Sequence, residues 1–238
     1  MMVPPATRGP PTLLRTTFRR SLALGRIFII VGLLYVAVLA LALSFTAASS
    51  FASSYPIFLP IFAVLGSMGG LMVVSSDRTK GVYEYLLAYG ISPRQLFING
   101  LLACLLVETV VLSLVLGLGL GIFVVSGHTI SLTLIAALSV YSIPMSYVSA
   151  AFATTVGMLW TSLSSPRTGM NSPIGLIPFV GIAPSALTLG LVAFLAIDGF
   201  TDIYLIIGGV VGAVAVVVLL LLKFLNRLLT PEKLLSPL

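Results

Sequence analysis

The sequence predicts an all-α polytopic membrane protein of six transmembrane helices, with an N-terminal interfacial amphipathic helix and a short cytoplasmic helix between spans two and three. Three observations carry that expectation. Of the 238 residues, 59% are hydrophobic and only 8% charged, against roughly 25% charged in soluble domains, so the chain has too few charges to cover a water-facing surface. The apolar residues come in uncharged runs, most of them close to the ~20 residues that cross a bilayer. The basic residues fall on one side of the membrane once those runs are threaded through it.

Residues 27–76 contain no charge, and the polar, small-residue segment 44–56 divides them into span one, 27–43, and span two, 57–74, joined by an outer loop. A charged segment, 77–94, follows. Residues 95–166 then hold one acid, Glu108, and a turn signal at Ser126-Gly127-His128, which fits span three over 96–125 and span four over 129–163. The polar run 161–173 is a second break. Span five is expected over 174–197, a tight turn over 198–202, and span six over 203–222.

Six spans put both termini on the same side. All 12 basic residues, from Arg8 and Arg15 through Arg78, Lys80, Arg94 and Arg167 to Lys223, Arg227 and Lys233, fall on that side, while the other carries Asp198, Asp202 and His128. The positive-inside bias makes it cytoplasmic, and the cell membrane is the expected location. The organisation is then a cytoplasmic N-terminus with its interfacial helix (1–26), a six-helix transmembrane domain (27–222) and a cytoplasmic tail (223–238). In the first part Leu14, Phe18 and Leu22 recur every four residues beside Arg15 and Arg19, a pattern suited to lying among lipid headgroups. The apolar run after it is longer than a signal-peptide core and ends in no clear cleavage site, so it reads as a retained span.

Composition also excludes functions. One cysteine, Cys104, and one histidine, His128, cannot make a disulfide or a Cys/His metal cluster, and no cofactor is expected on this chain. Lys80, Lys223 and Lys233 are each followed by a residue other than Ser or Thr, so there is no phosphate-cradling loop and the chain is no ATPase by itself. The basic residues flank spans instead of forming a folded patch, which argues against nucleic acid. Ser126, His128 and an outer Asp lack the rigid elbow that a catalytic triad requires, so no catalytic residue is assigned.

The segment 77–102 is the most informative. It has a charged start at Asp77, Arg78 and Lys80, then Gly81, an amphipathic turn or two with Tyr83, Leu86 and Leu87 against Glu84, a break at Gly90, and a restart at Ser92-Pro93. Ser92 is suited to cap the next helix and Pro93 to occupy its first position. In order and spacing, Gly81-Val82-Tyr83-Glu84-Tyr85-Leu86-Leu87 and Ile91-Ser92-Pro93-Arg94-Gln95-Leu96 resemble the loop after span two in ABC-2 type permeases, the membrane subunits of type-2 ABC exporters. Val82-Tyr83 stands where that family commonly has Thr-Leu, and Pro93 where a polar or basic residue is usual. The resemblance implies that the short helix is a coupling helix inserted into a separate ATP-binding subunit, with Asp77, Arg78, Lys80, Gly81, Tyr83, Glu84, Tyr85 and Leu86 at the contact. It further implies two such subunits carrying ATP and Mg, a second permease copy or related permease, and alternating access driven by ATP.

Within the spans, Glu108 is the lone ionisable side chain apart from the thiol and phenols, and an intramembrane carboxyl often marks a functional path; a purely packing role is the competing reading. Pro178 and Pro184 in span five and Pro144 in span four remove backbone donors, which lipid tolerates only where protein or water takes up the freed carbonyls. Glu108, Pro144, Pro178 and Pro184 are therefore the candidate translocation path. Glycines four residues apart, such as Gly66/Gly70 and Gly117/Gly121, are expected to let helices of the bundle pack closely. A non-transporting force-transmitting or assembly subunit, or an intramembrane enzyme, are the alternatives to an exporter permease.

Overall fold

The computed structural model describes residues 10–45, 48–159, 182–187, 190, 211–213, 215–220 and 223. Spans five and six and the loop 161–173 thus lie largely outside the described residues, as do Pro178, Arg167 and most of the tail. Among the described residues the chain is all-helical: α1 (Pro10–Ser44), α2 (Ala48–Thr79), α3 (Val82–Ala88), α4 (Pro93–Val125), α5 (Leu132–Ala137), a π-helical turn (Leu138–Ser142) and α6 (Ile143–Leu159). Among these residues four stretches are long and apolar enough to cross a membrane, namely Leu13–Ser44, Ser54–Val74, Pro93–Val125 and Leu134–Met158.

The first difference from expectation is α1. Leu14–Leu22 does not form a separate interfacial helix; it is the first third of one 35-residue helix that runs without a break through Arg26 and Ile27. No proline interrupts the sequence between Pro11 and Ser44, and the segment has bundle contacts to make. Phe18 and Leu22 pack against the main core and Leu13 against the cluster around Tyr83, while Arg15 and Arg19 are exposed. Where α1 crosses α2, a methyl added at Gly69 would overlap the Ser21 carbonyl and come within 2.8 Å of Gly25 Cα. Only glycine permits that approach of two backbones.

The second difference is the expected outer loop over 44–56, which shrinks to the few residues between α1 and α2. Phe51 and Tyr55 are buried, their rings 4.8 Å apart and Phe51 4.0 Å from Phe123 of α4, so the aromatic residues of this polar-looking stretch draw it into the bundle as helix. Pro56 and Pro60 sit inside α2. Pro60 has no N–H to offer the Pro56 carbonyl, and Ser142 Oγ donates to that oxygen instead at 2.7 Å. Span four is likewise interrupted, its π-helical turn lying just before Pro144; a π turn is one way to absorb the donor that a proline removes.

α4 packs on α1, α2 and α6. Its buried face includes Leu96, Gly100, Cys104, Val107, Glu108, Val111 and Val115. Outward-facing apolar side chains such as Ile27, Ile30, Leu34, Val38 and Leu41 recur along α1 at helical spacing, a surface that suits lipid and not water.

Candidate functional site

Two regions collect the residues singled out from sequence: the elbow at α3 and a buried polar seam between α4 and α6. At the elbow, Gly81 adopts φ +68° and Gly90 φ +83°, left-handed conformations that cost other residues about 1 kcal/mol or more. These two glycines turn the chain out of α2 into α3 and out of α3 again. The restart follows the sequence expectation. Gln95 N donates to Ser92 Oγ at 3.2 Å, Ser92 N donates to Gln95 Oε1 at 3.0 Å, and Pro93 is the first residue of α4, a reciprocal capping box.

The eight residues expected at the elbow divide by direction. Tyr83 is buried with Val74 of α2, Leu96 and Phe97 of α4 and Met158 of α6, so it anchors α3 to the bundle. Asp77 is also buried, in the last turns of α2; Arg20 Nη1 donates to its Oδ2 at 3.0 Å while Nη2 holds Oδ1. Both serve the chain's own packing. Leu86 is half-buried, Lys80, Glu84 and Tyr85 are exposed, and Arg78 lies in the final turn of α2.

Two residues of this region escaped the sequence reading. Tyr89 is 64% exposed beside Tyr85 at 61%, with ring centroids 4.5 Å apart; the four-residue spacing on a helix was the available signal. The hydrogen bond with Tyr89 holds the Tyr85 hydroxyl above the ordinary tyrosine pKa. Arg20 was the other, and with 57 residues between it and Asp77 no local pattern pairs them.

The seam is built by the antiparallel pairing of α4 and α6. A methyl added at Gly100 would sit 3.1 Å from Met158 Cε, the Cys104 thiol bonds the Thr154 side chain, and the hydroxyls of Thr109 and Tyr147 are 2.9 Å apart. The register these pairs define brings Glu108 level with Ser149 and Ala150. Glu108 is fully buried, and among the described residues neither of its carboxyl oxygens has a hydrogen-bond partner. On α6, Ser146, Ser149, Thr154 and Thr155 are also fully buried. Ser146 donates to the Ser142 carbonyl, Thr154 to Ala150 and Thr155 to Ala151, while Ser149 meets Ser185 across 3.4 Å. Pro184 is buried beside Ser185 and Pro144 is half-buried near the start of α6. Glu108, Pro144 and Pro184 thus lie around one seam; Pro178 is outside the described residues.

At the opposite end of α4, Gly127 (φ +86°) turns the chain. His128, at the turn expected on the outer side, is half-buried: its ring stacks on Phe123 at 4.8 Å and Nε2 bonds the Ser44 carbonyl at 2.9 Å. It satisfies a carbonyl at the end of α1 that the helix leaves without a donor. Gly117 and Gly121 do not pack within the described bundle, since an added methyl at either meets nothing within 4 Å. Among the described residues no three His, Cys, Asp or Glu side chains converge as a metal site.

Comparison with protein-family models, with curated proteins and with solved structures finds no match to this chain. The fold therefore defines the class of protein: among the described residues it is all-helical, with four helices long and apolar enough to cross a membrane.

Proposed function

We propose that this chain is the permease subunit of an ATP-driven exporter of the ABC-2 type, a six-span protein of the cell membrane with both termini in the cytoplasm and α3 as its coupling helix. ATP and Mg belong to a separate ATP-binding subunit, in two copies, and a second permease completes the translocation unit. The observation that carries this reading is the construction of α3: a seven-residue helix set off by two left-handed glycines, anchored through Tyr83 and offering Glu84, Tyr85 and Tyr89 outward. An anchored helix with an exposed aromatic and acidic face suits a contact that must transmit force. Tyr83 shares one buried cluster with residues of α2, α4 and α6, so a push on α3 enters the packing of all three.

The test is Glu84→Lys in the full chain expressed in its native membrane. The residue is exposed and outside every apolar stretch, so insertion should be normal. Removing one partner of a charged contact typically costs ~2–5 kcal/mol, hence binding of the ATPase should weaken at least ~30-fold. Arg167→Ala, in the loop expected after span four, should be milder. Purification of the parent chain free of any ATP-hydrolysing subunit, or unchanged coupling in Glu84→Lys, would overturn the reading.

A further inference from the structure

We infer that Glu108 is a reversible proton-binding site at the centre of the bundle, with the proton exchanged through the α4–α6 seam. Glu108 is 15 residues into α4, about 22 Å from its start at 1.5 Å per residue, and nothing in the described structure neutralises or solvates it. Among the described residues its two oxygens have no hydrogen-bond partner. Arg20 is committed to Asp77, and Arg15, Arg19 and Arg26 are exposed; α6 carries no charged residue. Other titratable groups on α4 and the elements packed against it include Cys104, one turn away and bonded to Thr154, Tyr35 of α1, which is exposed, Tyr55 of α2, which donates to the Val115 carbonyl, and Tyr147 of α6, paired with Thr109. Tyr141 lies beyond Ser142, further along the fourth apolar stretch.

A carboxyl kept for packing needs hydrogen bonds to offset its desolvation. The neighbouring hydroxyls follow that rule: Ser142, Ser146, Thr154 and Thr155 all donate to backbone carbonyls. Glu108 alone breaks it among these neighbours, which calls for an occupant. Size selects that occupant. Cys104, Val107 and Val111 beside Glu108 are sealed from solvent, and a methyl at Gly70 would overlap Cys104 Sγ. A metal cation needs about six oxygen ligands, and an organic ammonium needs more room than this packing leaves. A proton needs neither. The point of exchange is the joint level with Glu108, where the Ser149–Ser185 contact spans 3.4 Å, long for a hydroxyl hydrogen bond and thus the weakest polar closure of the seam.

The inference does not rest on the ATPase partnership, and its test uses the full chain alone in proteoliposomes. Dicyclohexylcarbodiimide enters the apolar phase and adds the O–H of a protonated carboxylic acid across one C=N bond without a leaving group; the adduct is then mapped by peptide mass. Labelling at Glu108 should fall at least tenfold between about pH 5 and about pH 10. Glu108→Gln should lose the adduct and Glu108→Asp should retain it. Added sodium at fixed pH should leave labelling unchanged, and a water-soluble carbodiimide should modify exposed Glu84 and spare Glu108. Labelling independent of pH would mean a sealed packing carboxyl, protection by sodium would mean a metal-cation site, and absence of labelling in the folded parent would mean no bound proton. Each of these overturns the inference.

Discussion

Gly70 of α2 packs tightly on Cys104 of α4 one turn from Glu108, and exchanging their volumes tests whether steric fit holds the bundle together. A methyl at Gly70 would lie 3.3 Å from both Cα and Cβ of Cys104 and overlap its sulfur. Carbon atoms in good contact stand about 3.5–4.0 Å apart, so relief requires moving a fully buried thiol or parting two helices. Overpacking of this kind costs ~1–3 kcal/mol, and we expect Gly70→Ala to cost about 2. Cys104→Ala removes the sulfur and its bond to Thr154, a loss of about 1 kcal/mol. If the sulfur causes the conflict, Gly70→Ala/Cys104→Ala should cost about 1 instead of the additive ~3, a coupling of about 2 kcal/mol. Reversible unfolding of the four proteins in mixed micelles, followed by circular dichroism, measures the cycle. Gly117→Ala is the reference, because its methyl meets nothing within 4 Å. Additivity within about 0.5 kcal/mol would refute the argument.

Two further outcomes follow from the elbow. Arg20→Ala strands an Asp77 side chain that is 9% exposed; because Arg20 itself is 39% exposed, we expect about 1 kcal/mol after discounting for solvent screening, with partial recovery in Arg20→Asp/Asp77→Arg. A reversed pair as unstable as the two single changes combined would deny the ion pair a role. Ser92→Ala removes the acceptor of Gln95 N–H and should cost about 1 kcal/mol, seen as faster hydrogen exchange at the Gln95 amide; unchanged exchange would deny the cap.

How legible this structure was from sequence depended on the range of the interaction concerned. The Gly90 break, the Ser92-Pro93 start and the Ser126-Gly127 turn are local stereochemistry, and all three stand where the residues put them. The α4 boundaries were equally plain, because caps frame an uninterrupted apolar run. What could not be read was the residues' choice of partner. Polar Ser44–Pro56 reads as loop until Phe51 and Tyr55 find Phe123, and Leu14–Leu22 reads as interfacial until Gly69 lets α2 approach Gly25. At the site, the depth of Glu108 followed from spacing alone. That no described side chain hydrogen-bonds it, the inward turn of Asp77 and Tyr83, and the bond from His128 to Ser44 depend on contacts between distant segments, which no periodicity records.

The distribution of helix defects gives the seam a mechanical character that ties the two regions together. Between Pro93 and Leu116, α4 holds one glycine and no interior proline, and its start is locked by the capping box and by Tyr83 packing on Leu96 and Phe97. The helices packed against its polar side are built otherwise. α2 contains Pro56 and Pro60, and α6 begins at a π turn and Pro144. Bonds that proline removes are replaced by side-chain hydroxyls, as Ser142 does for Pro56, and a side-chain bond is exchanged for water more readily than a helix ladder is. On the proposed reading, a displacement entering at α3 moves α4 as a rod and is taken up where α2 and α6 yield, along the face that carries Glu108. That reading separates the lever from the gate: α3 and α4 carry force unchanged in shape, and the proline-bearing helices open. Restoring the ladder with Pro144→Ala should then stiffen the gate, slowing transport while leaving ATPase binding at α3 intact; loss of ATPase binding in that variant would show that lever and gate are not separate.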